Sequence, residues 1–268
     1  MIAISSYLRP YAKVTRRWSE VMLGGVPVAR LGQEDTLEQL ADWSVGARFR
    51  RVATANVDFL AQASENAELR SALATADLVT ADGQPLVWLS KICREPIEER
   101  VTGADLVLPL VQRATERGAS IFLLGGSPRV NPLVEERLRE AAPGLQVAGS
   151  YSGRVDLDDE RGVEHVIELV RRSGAEILLV ALGCPKQDLF LSRHGERTGA
   201  RLGIGVGATF EFLASTKKRA PKILRRIGME WLFRALQEPG RLMKRYAGDA
   251  FYLARQILAG VRGPIVGR

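Results

Sequence analysis

Polar clusters rich in glycine recur in this chain where apolar runs end. They are Thr54-Ala55-Asn56, Asp82-Gly83, Gly125-Gly126-Ser127, Gly183-Cys184-Pro185-Lys186-Gln187 and Gly205-Val206-Gly207-Ala208-Thr209. Glycine at a strand-to-helix junction lets backbone amides approach and point at a phosphate. One such turn says little, but several at consecutive strand ends favour a nucleotide-type ligand over a purely structural reading. Few side chains in these clusters can do chemistry. Asp82 is either a proton acceptor or the first half of an Asp-Gly turn. Asn56 and Thr54 stand where a helix beginning near Val57 would be capped. Cys184 suggests a thiol nucleophile, but no paired histidine is evident and a free cysteine is usually a small buried apolar group.

Metal chemistry has one candidate, Asp156-Leu157-Asp158, which has the form of a DxD motif. Asp158 and Asp159 also directly precede a helical pattern, where caps and first-turn acids belong, so both readings stand at this point. The two histidines, His165 and His194, are too few for a histidine-built centre. Cys93 and Cys184 lie far apart in sequence, so neither a disulfide framework nor a zinc site is expected.

The elements that must position these residues follow from the apolar pattern. Strands are expected at Val21–Pro27, Arg51–Ala55, Leu78–Ala81, Ser120–Leu124, Leu145–Gly149, Glu176–Ala181 and Arg201–Val206. Helices are expected near 36–44, 57–75, 104–117, 130–141, 159–172 and 186–197. Alternating strands and helices predict an α/β fold: a parallel or mixed sheet with Rossmann-like features, flanked by helices. Ligands of such sheets bind beyond the carboxyl ends of the strands, where the polar clusters fall.

Strand signals cease after Ala214–Pro221. The chain then reads as a core over 1–215 and a basic helical C-terminal appendage over 216–268. Of 38 Lys and Arg, 13 lie in the appendage against Glu230, Glu238 and Asp249, so the net charge of +7 belongs to that end. In its first helix Ile223, Leu224, Ile227, Trp231 and Ala235 share a side, with Lys222, Arg225 and Arg226 opposite. Arg234 falls on the apolar side and needs a partner, a phosphate or else water reached by snorkelling. Beyond a break at Pro239–Gly240, the second helix groups Leu242, Met243, Tyr246, Ala250, Leu253, Ala254 and Ile257 on one side. Arg241, Lys244, Arg245 and Arg255 lie on another, as in a helix that meets an anionic membrane surface.

No apolar run approaches the ~20 residues of a spanning helix. Arg9, Lys13, Arg16 and Arg17 interrupt the apolar N-terminus before a signal-peptide core can form. Both observations lead us to expect a cytoplasmic chain.

In combination the stretches TANVDFL (54–60), TADGQPLVW (80–88), ERVTGADL (99–106), IFLLGGSP (121–128), GCPKQD (183–188), GVGATFEF (205–212) and KRAP (218–221) resemble the WecG/TagA/CpsF family, glycosyltransferase family 26. The tail pattern MEWLFRALQEPGRLMKRY (229–246) belongs to the same resemblance. It implies an inverting, metal-independent hexosyltransferase without a cofactor. The enzyme would move an N-acetylmannosamine-like or glucose-like sugar from a UDP-sugar donor to a polyprenyl-diphosphate-linked acceptor in bacterial surface polysaccharide synthesis. It would sit peripherally on the inner face of the cytoplasmic membrane. Asp82 matches the family's proposed base, while Thr54, Asn56 and Gln187 match pocket positions and Arg100 an arginine beside the pocket. Gly125, Gly126 and Gly207 belong to the loops expected at the ligand, and Arg234 and Arg241 are the tail arginines expected near the leaving diphosphate. Two positions depart from the family pattern, Glu211 where Asp is usual and Ser215 where Gly is usual.

Two other classes stay in view. An NAD-dependent oxidoreductase would want a GxGxxG after the first strand, which Gly24-Gly25 does not supply. A nucleic-acid-binding protein is allowed by the tail charge alone, though no nucleic acid partner is expected. Homo-oligomerisation is left open.

Overall fold

A computed structural model describes residues 18–262, leaving aside positions 218, 222, 225–228 and 238 and the side chains at 234, 239, 241, 244 and 259–262. The readings that rest on Arg9 to Arg17, on Lys222, Arg225, Arg226 and Ile227, and on the side chains of Arg234, Arg241 and Lys244 lie outside the described residues.

The first apolar segment is not one strand but a hairpin, β1 (Glu20–Leu23) and β2 (Val26–Ala29), paired antiparallel. Gly24 and Gly25 make its turn with φ of 59° and 81°, the left-handed geometry that a two-residue hairpin loop requires. These glycines therefore turn a hairpin rather than form a phosphate loop.

After α1 (Gln33–Ser44), a six-stranded sheet begins with β3 (Arg50–Ala55) and β4 (Leu78–Ala81), and continues through β5 (Ile121–Gly125), β6 (Val147–Tyr151), β7 (Ile177–Ala181) and β8 (Leu202–Gly205). Its order is β4-β3-β8-β7-β5-β6 and every pairing is parallel. Between strands run α2 (Val57–Glu65), α3 (Ala67–Ala74), α4 (Gln84–Ile92), α5 (Gly103–Glu116), α6 (Asn131–Ala141), α7 (Glu160–Ser173) and α8 (Lys186–His194). The short α9 (Thr209–Leu213) follows β8, and the C-terminal segment forms α10 (Glu230–Gln237) and α11 (Pro239–Arg262).

Burial explains the strand sequences. In β7 Ile177, Leu178, Leu179 and Val180 are all buried because helices cover both faces, so the strand reads as an unbroken apolar run rather than an alternation. The single helical stretch expected over 57–75 is divided in two. Asn66 ends α2, and its Oδ1 accepts from the Glu68 and Leu69 amides, each at 3.0 Å, which restarts the chain as α3. The apolar pattern alone passes over α4 and α9; Pro85 in the first turn of α4 is the signal for that helix.

The C-terminal segment is seated on this frame. α11 packs along α2 and against α4. Tyr252, on its inward side, joins the core cluster of Leu60, Leu69 and Leu86 and covers the hairpin turn so closely that a Cβ on Gly24 would collide with the phenol.

Candidate active site

Backbone geometry brings the polar clusters together. Asn56, just past β3, accepts at Oδ1 from the Phe59 amide at 3.3 Å and so caps α2. Asp82 stands at the same level on the neighbouring strand, since Ala55 pairs with Ala81 and the Asp82 amide donates to the Ala55 carbonyl at 2.7 Å. Gly83 follows with φ 149°, and a Cβ there would lie 3.8 Å from that of Asn56. On the other side of β3, the Thr54 hydroxyl donates to the Gly205 carbonyl at 2.9 Å, tying β3 to the end of β8. Gln187 is fully buried, and its Oε1 accepts from the Gly207 amide at 3.0 Å, tying the start of α8 to the loop after β8.

A cleft of about 340 Å³ opens over these carboxyl ends, within the range of small-ligand sites. Thr54, Asn56, Asp82, Gln187 and Gly207 line it, joined by Asp58, Thr102, Cys184 and Glu211. Lys217, Glu230 and Arg245 add a wall from the C-terminal segment. Gly125 and Gly126 are outside this lining: they make the turn after β5 at φ 101° and 76°, Gly125 packed on the Ala181 carbonyl and Gly126 against Asn131.

Arg245 corrects the helical-wheel reading, which puts it on a lipid-facing side. Its Nη2 lies 3.1 Å from Asp58 Oδ2 and 3.5 Å from Asn56 Oδ1, and its Nε 3.9 Å from Asp249. The reason is packing: α11 lies against α2, so the basic side that includes position 245 faces the acid in the first turn of α2. The wheel also oversimplifies the apolar sides of the tail, since Ile223, Trp231 and Met243 are exposed while Ala235 and Leu242 are buried. Burial, then the like charge of Asp58, pushes the Asp249 carboxyl up to about 6 against the pull of Arg245.

Arg100 does not line the cleft; it belongs to a four-membered ring of charges at its margin. Arg100 reaches Glu230 at 2.8 Å and Asp105 at 3.5 Å. Arg219 takes Asp105 with both terminal nitrogens, each at 2.8 Å, and its Nε is 3.5 Å from Glu230. Burial raises the Asp105 carboxyl, but hydrogen bonds and charge from Arg219, with help from Thr102 and Arg100, hold it below its ordinary value. Each carboxylate in the ring serves both arginines. Two of the members, Arg219 and Glu230, come from the C-terminal segment.

Sequence reading assigns no role to Asp58, Arg219 or Glu230. They lie inside the quoted motifs, but what they do is fixed by contacts across more than a hundred residues of chain. Asp188 escapes it as well. It is buried next to Gln187, and burial raises its carboxyl to about 7 despite the charge of Arg51. Cys184 lines the cleft, but burial and then the nearby Asp188 and Asp58 raise its thiol far above the ordinary range, which opposes thiolate chemistry. Asp156 and Asp158 lie on the exposed loop before α7, outside the lining, where Asp156 Oδ1 accepts from the Asp158 amide at 3.3 Å.

Residues 21–263 match the family model described as the glycosyl transferase WecG/TagA/CpsF family. A protein of Bacillus spizizenii, N-acetylglucosaminyldiphosphoundecaprenol N-acetyl-beta-D-mannosaminyltransferase, is 30% identical over 190 residues, 71% of this chain and 72% of that protein.

Proposed function

The chain belongs to the WecG/TagA/CpsF family of glycosyltransferases, and from that premise we propose that it moves an N-acetylmannosamine-type or glucose-type sugar from UDP to a polyprenyl-diphosphate-linked acceptor, with inversion and without a metal. The observation that carries this reading is one cleft lined by both a strand-end carboxylate, Asp82, and two cations, Lys217 and Arg245. Inverting transfer needs these two kinds of group. The acceptor hydroxyl oxygen attacks the anomeric carbon while Asp82 takes its proton, the new glycosidic bond forms, and the bond to the UDP oxygen breaks with both electrons leaving on the diphosphate. Lys217 and Arg245 meet that negative charge as it develops.

The neighbouring residues have positioning work. Thr54 and Gln187 hold the ends of β3 and β8 and the Gly207 loop in register, and Asn56 offers its amide to the sugar from the helix start. Arg100 anchors the rim through Glu230. Residues 216–268 act as an appendage that completes the cleft, Arg234 and Arg241 among the cations it brings to the diphosphate. A lipid-linked acceptor places the work at the inner face of the cytoplasmic membrane, and among the described residues no helix is long and apolar enough to cross one.

The test is UDP release from a panel of UDP-sugars, with and without a polyprenyl-diphosphate-N-acetylglucosamine acceptor and with and without EDTA. Acceptor-dependent release that survives EDTA and gives the β-anomer from an α-linked donor supports the proposal. Loss to EDTA with recovery on adding manganese overturns its metal-independent part. Retention of configuration overturns single displacement.

A further inference from the structure

One guanidinium on the cleft wall stands between two carboxylates, and its two attachments are unequal. Arg245 Nη2 lies 3.1 Å from Asp58 Oδ2, and Asp58 is itself steadied by Gln62, which donates to it at 2.8 Å. Arg245 Nε lies 3.9 Å from Asp249 Oδ2, too far for a hydrogen bond. That Nε is a buried donor without a hydrogen-bond partner among the described residues. Leaving a buried N–H unpaired is costly, so the position calls for an acceptor closer than Asp249.

The charges around Asp249 can be followed element by element. α11 packs against α2, α4 and α10. From α2 the Asp58 carboxylate faces it, and from its own helix Arg245. Cys184, before α8, senses the same Asp58 and Arg245 charges but remains an uncharged thiol. Tyr252, further along α11, is buried and keeps its hydroxyl proton. The other charges of these helices are engaged elsewhere: Glu65 and Lys91 are exposed, and Glu230 pairs with Arg100.

Two acids, with side chains only 16 and 14% exposed, thus share one cation. A diphosphate brings further negative charge into the same space, and like charges so close oppose one another's ionisation. The conflict is relieved if the more weakly held acid takes a proton. Asp249 is that acid, since burial and the like charge of Asp58 already bring its carboxyl up to about 6.

We propose that Asp249 is a positioning residue that hands Arg245 over to the donor diphosphate, taking up a proton from solvent as a phosphate oxygen becomes the partner of Nε. Asp58 keeps its hold on Nη2 throughout, so the guanidinium stays at the cleft wall while its free edge changes partner. This inference rests on the nucleotide-diphosphate reading of the donor and adds the proton that accompanies binding. The sign follows from linkage. The diphosphate raises the Asp249 carboxyl above its value of about 6, so near neutrality the complex holds a proton that the protein alone has released. Affinity must then fall as pH rises from about 6, by up to about tenfold per pH unit.

The experiment is calorimetric titration of the full chain with UDP at about pH 7, in buffers of different ionisation enthalpy, which counts the protons exchanged. The terminal phosphate of UDP titrates in the same range, so the readout is the difference between the parent and Asp249→Asn. The parent should take up roughly half a proton more per UDP, and Asp249→Asn should bind UDP severalfold more tightly at about pH 8, the gap closing toward about pH 5. Asp249→Glu, which keeps a titrating carboxyl, should keep the excess uptake. Infrared difference spectra of the parent should gain the C=O band of a protonated carboxyl on adding UDP, a measurement that needs no variant. Equal uptake in the parent and Asp249→Asn, weaker binding by Asp249→Asn at every pH as for a merely structural acid, or no carboxyl band overturns the proposal. A parent that binds no UDP at all instead overturns the donor reading on which the inference stands.

Discussion

The Arg245 guanidinium lies 3.1 Å from the Asp58 carboxylate, joining the last long helix of the chain to the first turn of the helix that follows β3. A contact spanning most of the sequence therefore forms one wall of the cleft. Asp58 also accepts from Gln62 at 2.8 Å and Asp249 flanks the arginine, so two acids hold the cation in place. A diphosphate arriving there meets a preplaced guanidinium, whose planar fork suits phosphate oxygens.

Arg245→Ala is accordingly expected to lower turnover with a soluble acceptor by roughly 10²-fold, the usual cost of removing one preorganised donor from developing charge. Vesicle binding should change little, because the side chain faces inward. Unchanged turnover together with weaker vesicle binding would return Arg245 to the lipid side and contradict the geometry.

Asp82→Asn keeps the shape at the end of β4 and removes the proton acceptor. Turnover should fall by roughly 10²–10⁴-fold, with the dissociation constant for UDP close to the parent's. Calorimetric titration with UDP alongside the rate assay separates these. A folded variant with parent-like turnover would take Asp82 out of the chemistry.

Much of this architecture is legible in the sequence, and the reasons are local. β3, β4, β5, β7 and β8 are short apolar runs ending in glycine or polar residues, and parallel pairing beneath helices follows from that pattern. What the sequence hides depends on contacts made only in three dimensions. The hairpin at Gly24-Gly25 sits inside a run that looks like one strand. Asn66 splits a continuous helical pattern through its side-chain hydrogen bonds. A helical wheel puts Arg245 on the wrong side because it ranks residues by hydrophobicity and cannot know that Asp58 waits on the facing helix. Arg100 reads as a lone cation near a ligand, and its partners Glu230 and Asp105 emerge only once the C-terminal segment is in place.

Asp188 gives stability a pH dependence whose sign can be worked out. Its carboxyl is raised by burial to about 7, well above an ordinary aspartate near ~3.9. The folded protein thus holds a proton that the unfolded chain releases. The contribution to stability is present in full below the unfolded value and is lost as pH rises through about 7. Asp188→Asn should therefore flatten the decline in melting temperature between pH 5 and 8 by several degrees. A variant whose decline is as steep as the parent's would show that another group is responsible.

Ser215 occupies a left-handed backbone conformation with φ 55° in the turn after α9. A side chain there costs roughly 1–2 kcal/mol relative to glycine, partly offset by the greater freedom of glycine in the unfolded chain. Ser215→Gly should raise the melting temperature by about 1–3 °C at this chain length, with kinetic constants unchanged. A lower melting temperature would mean that the serine side chain makes a compensating contact.

The last prediction concerns the charge ring. Glu230 starts α10 and meets Arg100 at 2.8 Å, while Asp105 binds both Arg100 and Arg219. The four side chains are only 15–23% exposed, so their interactions are less screened than surface pairs, whose median worth is near zero to ~1 kcal/mol. Glu230→Gln preserves the shape but leaves Arg100 and Arg219 sharing a single carboxylate, at a cost of about 1.5–3 kcal/mol for a charged hydrogen bond. The lost tie would also loosen the segment that brings Lys217 and Glu230 to the cleft, so kcat/KM should fall along with stability. Arg100→Gln should do much the same. If the two residues act through one another, the double variant will cost less than the sum of the singles, by about 1 kcal/mol or more in both denaturation and kcat/KM. Additive effects on kcat/KM would instead mean that Arg100 contacts substrate directly and that its pairing with Glu230 is incidental to catalysis.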